Sequence, residues 1–168
     1  MAPIRVLMVG FGSVGTGVAQ LLVDATPAAP AVLYRWAGTD VVVVGVADSA
    51  GCICTKAASG FNLAALLIHK RTGVSVATYT GEGAELVSDA EIAVGAVDFD
   101  MLFEASPVDL ENGGMGLAAV KAAVAKGKDV VLANKAPLVL AYAELHAAAT
   151  ASGSRVEFSG AVCGLRFA

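Results

Sequence analysis

The stretch from Val6 to Leu22 limits what this chain can fold into more than any other. An apolar run, Ile4 to Val9, ends in Gly10-Phe11-Gly12-Ser13-Val14-Gly15, and the residues from there on place apolar side chains at Val14, Val18, Leu21 and Leu22. That spacing is helical. Strand, glycine turn and helix in this order open a dinucleotide-binding unit. The chemistry accounts for the residue types. Gly10 permits the tight turn, Gly12 lets the backbone approach a pyrophosphate because it has no Cβ, and Gly15 lets the helix pack close to the strand. The unpaired N–H groups at the helix start would then face the phosphate, where the helix dipole favours negative charge. The alternative is a glycine turn that merely packs.

The later segments extend this start into an α/β fold: a Rossmann-type, doubly wound, mostly parallel sheet with helices on both faces. Val41 to Ala47 is β-branched, continuous and apolar, as a strand buried on both faces should be. It runs into Asp48. An acidic residue at this strand end commonly accepts hydrogen bonds from the adenosine ribose. Asp48 lies further along than the ~20 residues usual after the glycine motif. The Pro-bearing stretch from Ala25 to Thr39 accounts for the excess, with a short piece expected over Ala31 to Trp36. A carboxylate there would repel a 2′-phosphate and so favours NAD over NADP, although Lys56 or Arg71 is close enough in sequence to meet a phosphate. Ser49 to Asn62 reads as a long loop, with Asn62 capping a helix from Leu63 to Arg71. Val74 to Tyr79 is expected to be a short peripheral strand, and Gly81 to Ala96 has no clear assignment. Asp100 to Ala105 is the next core strand, ending at Ser106-Pro107, where the crevice of such a sheet lies. A helix from Met115 to Lys126 is stopped by Gly127. Asp129 to Ala133 is a further strand, and Lys135 follows it in a loop fixed by Pro137, placed to meet a cofactor or a carboxylate substrate. A helix from Leu138 to Ala151 and a strand from Arg155 to Val162 complete the pattern.

Composition narrows the partners. The chain has 168 residues, close to one domain. It is 57% hydrophobic, yet its longest apolar runs are far too short to span a bilayer. No leader pattern precedes Ile4, so a cytoplasmic protein without membrane contact is expected. The net charge of −4 and the absence of a basic stripe argue against nucleic acid. Cys52, Cys54 and Cys163 do not form a disulfide framework. Cys52 and Cys54 lack the further ligands that a structural metal site needs, so none is expected. His69 and His146 fall on helices and suit structural or surface roles.

Four motifs together resemble one family. They are Gly10 to Gly15; Val46-Ala47-Asp48-Ser49-Ala50-Gly51; Phe103-Glu104-Ala105-Ser106-Pro107; and Gly127-Lys128-Asp129-Val130-Val131-Leu132-Ala133-Asn134-Lys135-Ala136-Pro137-Leu138. In this order, over nearly the whole chain, they are similar to the N-terminal nucleotide-binding domain of homoserine dehydrogenase. The last is the most specific. The resemblance implies an oxidoreductase that interconverts L-homoserine and L-aspartate 4-semialdehyde with NAD or NADP, on the route to threonine and methionine. Carried over, Phe11, Gly12, Ser13 and Val14 would hold the pyrophosphate, Asp48 the adenosine ribose, Ser106 and Pro107 the nicotinamide ribose, and Lys135 would contact the cofactor near the reacting region.

The same resemblance implies a second domain that binds homoserine, makes the dimer and carries the catalytic lysine and aspartate. No residue of this chain matches those, so the catalytic residues are unknown. Residues 1–168 read as a single cofactor-binding domain, with about 154–168 the start of a connection. Ala161 to Ala168 begins like the family's Val-x-Gly-Gly-x-Pro turn and then departs from it. Ser159 stands where a cation-binding glutamate would fall, so no metal site is carried over. Such a half is expected to be inactive alone and to associate as a homo-oligomer through its apolar surface. Two other readings stay open: a non-catalytic NAD(P)-binding sensor or regulatory module, and a different dehydrogenase or synthase that shares this first domain.

Overall fold

Alternation along the first strand sets the layers. In a computed structural model that describes residues 2–24 and 40–161, β1 (Ile4–Val9) sends Val6 and Met8 to one face of a sheet and Leu7 and Val9 to the other. All four are buried, as the two-residue period of a central strand requires. β1 pairs in parallel with β2 (Val41–Asp48) on one side and β5 (Met101–Glu104) on the other. Beyond β5 lie β6 (Asp129–Leu132) and β7 (Val156–Glu157), also parallel. Beyond β2 lie β3 (Gly51–Cys54) and β4 (Glu85–Val87), each antiparallel to its neighbour. The seven-stranded order is β4-β3-β2-β1-β5-β6-β7. α1 (Ser13–Asp24) and α2 (Leu63–Arg71) contribute Ala19, Leu66 and Leu67 to the core on one face. α3 (Ala90–Ala96), α4 (Gly114–Ala125) and α5 (Ala136–Ser152) cover the other with Ala93, Val94, Val120, Val124 and Leu145. This is the doubly wound, mostly parallel sheet expected from the motifs.

Local signals were reliable where the deciding contact was local. Asn62 caps α2, its side chain accepting from the Ala65 N–H, and His69, Lys70 and Arg71 fill the last turn. Replacing Asn62 with alanine is expected to cost about 1 kcal/mol, read as a lower denaturation midpoint with an unchanged m-value. Gly127 takes a φ of +69° just past α4 and donates to the Val124 carbonyl, ending that helix as expected.

Three expectations are corrected. The supposed loop from Ser49 to Asn62 contains β3, which folds back on β2 through a two-residue turn with Asp48 opposite Gly51. Cys52 and Cys54 are buried on one face of that strand and Ile53 on the other, so the cysteines serve as core. Val74 to Tyr79 is not a strand. Val76–Thr78 is a 3-10 turn, because the Ser75 hydroxyl takes the Ala77 N–H and the Asp48 carboxylate takes the Val76 N–H. The final strand is shortened to β7, and Ser159–Ala161 turns away as 3-10 helix. Gly81 to Ala96 resolves into β4 and α3, the latter capped by Asp89. The expected piece from Ala31 to Trp36, together with Val162 and Cys163, lies outside the described residues. Among the described residues no helix is long and apolar enough to cross a membrane.

Candidate dinucleotide site

The C-terminal ends of β1, β2, β5 and β6 bring the sequence-predicted residues to one edge of the sheet. From β1 the chain crosses to β2 on one side and later returns to β5 on the other. The reversal of winding opens a crevice between these strand ends.

The three glycines of the first turn do three different things. Gly10 has a φ of +97°, and a Cβ there would fall 2.4 Å from the Ala105–Ser106 peptide. Its N–H donates to the Ala47 carbonyl at 2.9 Å. The turn is thus wedged between the ends of β2 and β5. A Cβ on Gly15 would lie 2.1 Å from the Gly10 carbonyl oxygen, so the start of α1 rests directly on the turn. Gly12 has nothing within 4 Å of its Cβ direction. The first hydrogen bond of α1 runs from the Thr16 N–H to the Gly12 carbonyl at 2.9 Å. The N–H groups of Ser13, Val14 and Gly15 precede it and have no helical partner. Two glycines close the turn and the third leaves its rim open beside donors that have no partner among the described residues, which fits a pyrophosphate.

The side chains of this motif differ from the expectation. Phe11 is fully buried in the core with Met8 and Phe61, so only its backbone borders the crevice. Val14 and Leu21, expected on the packed stripe of α1, are exposed. The buried residues of α1 are Gly15 and Ala19, small enough to let the helix approach β1 closely.

Asp48 stands at the predicted strand end, but its carboxylate is occupied. Oδ2 accepts from Lys70 Nζ at 2.6 Å and from the Val76 N–H at 2.9 Å. Oδ1 accepts from Ser75 Oγ at 2.7 Å and from the Ala50 N–H at 3.0 Å. Four donors fill its acceptor positions and Lys70 balances its charge. Burial raises its pKa, but Lys70, the two N–H groups and Ser75 outweigh that and hold it at about 2.

The far end of the crevice is built on a buried group that the motif reading passed over. Glu104, the last residue of β5, is fully buried. Its Oε1 accepts from the Ser106 N–H at 2.8 Å, from Ser106 Oγ at 2.5 Å and from Asn134 Nδ2 at 3.4 Å. Burial pushes its pKa up, against these bonds, which pull it down. The Ser106 hydroxyl is therefore spent on Glu104 and only Pro107 is presented at the surface. Asn134 uses its other amide atom, Oδ1, to accept from the Ala136 N–H at 2.9 Å. Lys135 sits at the N-cap of α5, not in a longer loop, and is exposed, with Pro137 in the first turn of the helix. A glutamate closing an apolar strand, two residues before a serine, was the available signal for this cluster.

Comparison with known proteins follows the same lines. Residues 10–159 match the family model for the homoserine dehydrogenase NAD-binding domain. The homoserine dehydrogenase of Methanocaldococcus jannaschii is 31% identical over 141 residues, covering 83% of this chain and 39% of its own length. The NAD(+)-dependent homoserine dehydrogenase of Pseudomonas canavaninivorans is 28% identical over 167 residues, covering 96% of this chain and 44% of its own length. The chain thus spans less than half the length of either relative. A hyperthermophilic archaeal homoserine dehydrogenase solved in complex with NADPH superposes with a TM-score of 0.75 at 21% identity, over 94% of this chain and 44% of that one. With its glycine turn and the strand ends of β2, β5 and β6 inside the matched span, the chain belongs to the homoserine dehydrogenase NAD-binding domain family, whose cofactor is NAD or NADP.

Proposed function

We propose that this chain holds NAD or NADP across the switch-point crevice and, within a homoserine dehydrogenase, orients it for hydride exchange between L-homoserine and L-aspartate 4-semialdehyde. The observation that carries this reading is the open rim at Gly12, between two sterically closed glycines and beside α1 N–H groups that have no partner among the described residues. The pyrophosphate would lie on the backbone of Gly12, Ser13 and Val14. The adenosine would extend toward the end of β2 and the nicotinamide toward the ends of β5 and β6, bordered by Pro107 and Lys135. Because Asp48 is filled by its own donors, its charge is no argument for NAD over NADP. The cofactor accepts or donates the hydride; the protein supplies orientation and a water-poor surface. Holding the ring against a substrate carbon is where such a domain contributes rate. Lys135 brings a cation to that end, suited to a substrate carboxylate.

Titrating NADH and NADPH into the purified chain tests this. Saturable binding of at least one is expected, and Gly12→Asp, which sets a carboxylate at the anion position, should abolish it without changing the far-UV spectrum. A folded wild-type chain that binds neither would overturn the reading. Homoserine-dependent reduction of NAD and NADP, measured alongside, separates catalysis from cofactor holding. Binding without turnover fits a cofactor-holding half or a non-catalytic module.

A further inference from the structure

Glu104 is a buried carboxyl that holding the cofactor does not itself require. Its Oε2 has no hydrogen-bond partner among the described residues, and no ion pair there reaches the side chain. α4 seals the group from the other side: a Cβ on Gly116 would fall 2.4 Å from Oε1 and 2.8 Å from Ser106 Oγ. Burying a carboxyl without a cation costs free energy that only its hydrogen bonds offset. Packing alone therefore gives no reason for a glutamate at the end of the apolar run Met101-Leu102-Phe103.

The carboxyl does what an apolar side chain cannot: it joins two turns. Ser106 directly precedes Pro107, and Asn134 directly precedes Lys135. Both Ser106 and Asn134 converge on the same carboxyl oxygen, and Asn134 Nδ2 also reaches Ser106 Oγ at 3.4 Å. Through Oδ1, Asn134 passes the connection on to the first turn of α5. The residues that border one end of the crevice are thus each one position away from a shared buried knot.

We propose that Glu104 is a positioning residue for the nicotinamide half of the cofactor: its carboxyl ties the Ser106–Pro107 turn to the Asn134–Lys135 turn, so that the two hold that half as one unit. This rests on the cofactor reading above. Glu104 itself touches no part of the dinucleotide and acts through Ser106 and Asn134. The adenosine half lies beyond β1, toward the end of β2, where the Glu104 carboxyl makes no hydrogen bond among the described residues, and does not depend on it. Glutamine, with one acceptor and one donor in the same shape, keeps the knot. Leucine fills the space and breaks it.

The test compares wild type, Glu104→Gln and Glu104→Leu for binding of ADP and 2′,5′-ADP, which report the adenosine half, and of NADH and NADPH, which report both halves. Melting temperatures are recorded for each. Glu104→Leu is expected to keep its ADP affinities within about twofold and to lose about tenfold for the better dinucleotide, the loss of a few polar contacts. Its melting temperature should fall, because buried donors of Ser106 and Asn134 lose their acceptor, with the chain still folded at the assay temperature. Glu104→Gln should stay within about threefold on every ligand. Unchanged dinucleotide binding in Glu104→Leu overturns the proposal, and so does an equal loss on ADP and dinucleotide. Where Glu104→Leu does not fold, Ser106→Ala removes one donor of the knot and should show the same split at smaller size; equal losses, or none, overturn it. A wild-type chain that binds neither ADP nor dinucleotide would instead remove the cofactor reading itself.

Discussion

Alanine at Gly15 is expected to destabilise the fold by about 3 kcal/mol or more, whereas alanine at Gly12 should leave stability nearly unchanged and weaken dinucleotide binding about tenfold. The two residues lie three apart in one motif, and only their surroundings differ. A methyl group on Gly15 would sit 2.1 Å from the Gly10 carbonyl oxygen. That oxygen belongs to backbone, and the turn that carries it is held in turn against Ala105 and Ser106. Relief requires α1 to move off the sheet or the β5 end to shift. The gain in helix propensity from Gly to Ala, at most ~1 kcal/mol, is too small to compensate. Against a typical domain stability of about 5–15 kcal/mol the loss is large. At Gly12 the Cβ direction is empty, so a methyl group meets no protein atom. It does occupy the approach to the N–H groups of α1, where a phosphate would come closest. Thermal denaturation and dinucleotide titration of both variants give a crossed pattern if the roles are as described. A Gly15→Ala chain that melts like wild type would show that the close approach is not needed.

The same contrast between local and distant causes explains what could be read in advance. β1, β2, β5 and β6 were legible because continuous apolar runs between turn signals need no partner to be recognised. The Asn62 cap and the Gly127 stop were legible because each acts within one helical turn. β3 was hidden because Cys52-Ile53-Cys54 is a strand only by pairing with Gly45 to Asp48. The turn at Val76–Thr78 was hidden because the carboxylate that captures the Val76 N–H comes from Asp48, far earlier in the chain. At the site, the tight turn at Gly10 and the close packing at Gly15 are properties of the backbone and were legible in the motif. Asp48 was found, but its occupancy depends on Lys70 and Ser75 from a segment whose fold was misread. Glu104 was seen within its motif without a role, because a glutamate at a strand end ordinarily faces water. Only the arrival of Asn134 from the next strand end, and of α4 at Gly116, makes it buried.

Removing the Asp48 carboxylate is expected to destabilise the chain by about 3 kcal/mol, in the range found when one partner of a buried ion pair is deleted. Asp48 closes the β2–β3 turn at Ala50, caps the 3-10 turn at Val76 and holds Lys70 on α2. Its loss therefore loosens three segments together. The effect carries a pH signature. The folded-state pKa of about 2 lies below the ordinary value of 3.8, so folding favours the ionised form. The stabilisation is fully present above pH ~4, declines as pH falls through the interval between the two values, and is gone below the lower one. A shift of nearly two units bounds this component at about 2 kcal/mol. Melting temperatures of wild type and Asp48→Asn across that interval should converge as pH falls. Parallel curves would mean that the carboxylate is not the titrating group. Groups common to both chains, such as Asp129, lowered by Arg155, cancel in the difference. The same variant decides the cofactor question. With Lys70 already balancing its charge, Asp48 repels a 2′-phosphate little, so Asp48→Asn should change the NAD-to-NADP affinity ratio by less than about threefold. A carboxylate bonded directly to the ribose would repel that phosphate strongly, and its neutralisation would then favour NADP by about tenfold or more. A swing of that size would place Asp48 on the ribose, with Lys70 and Ser75 giving way when cofactor binds.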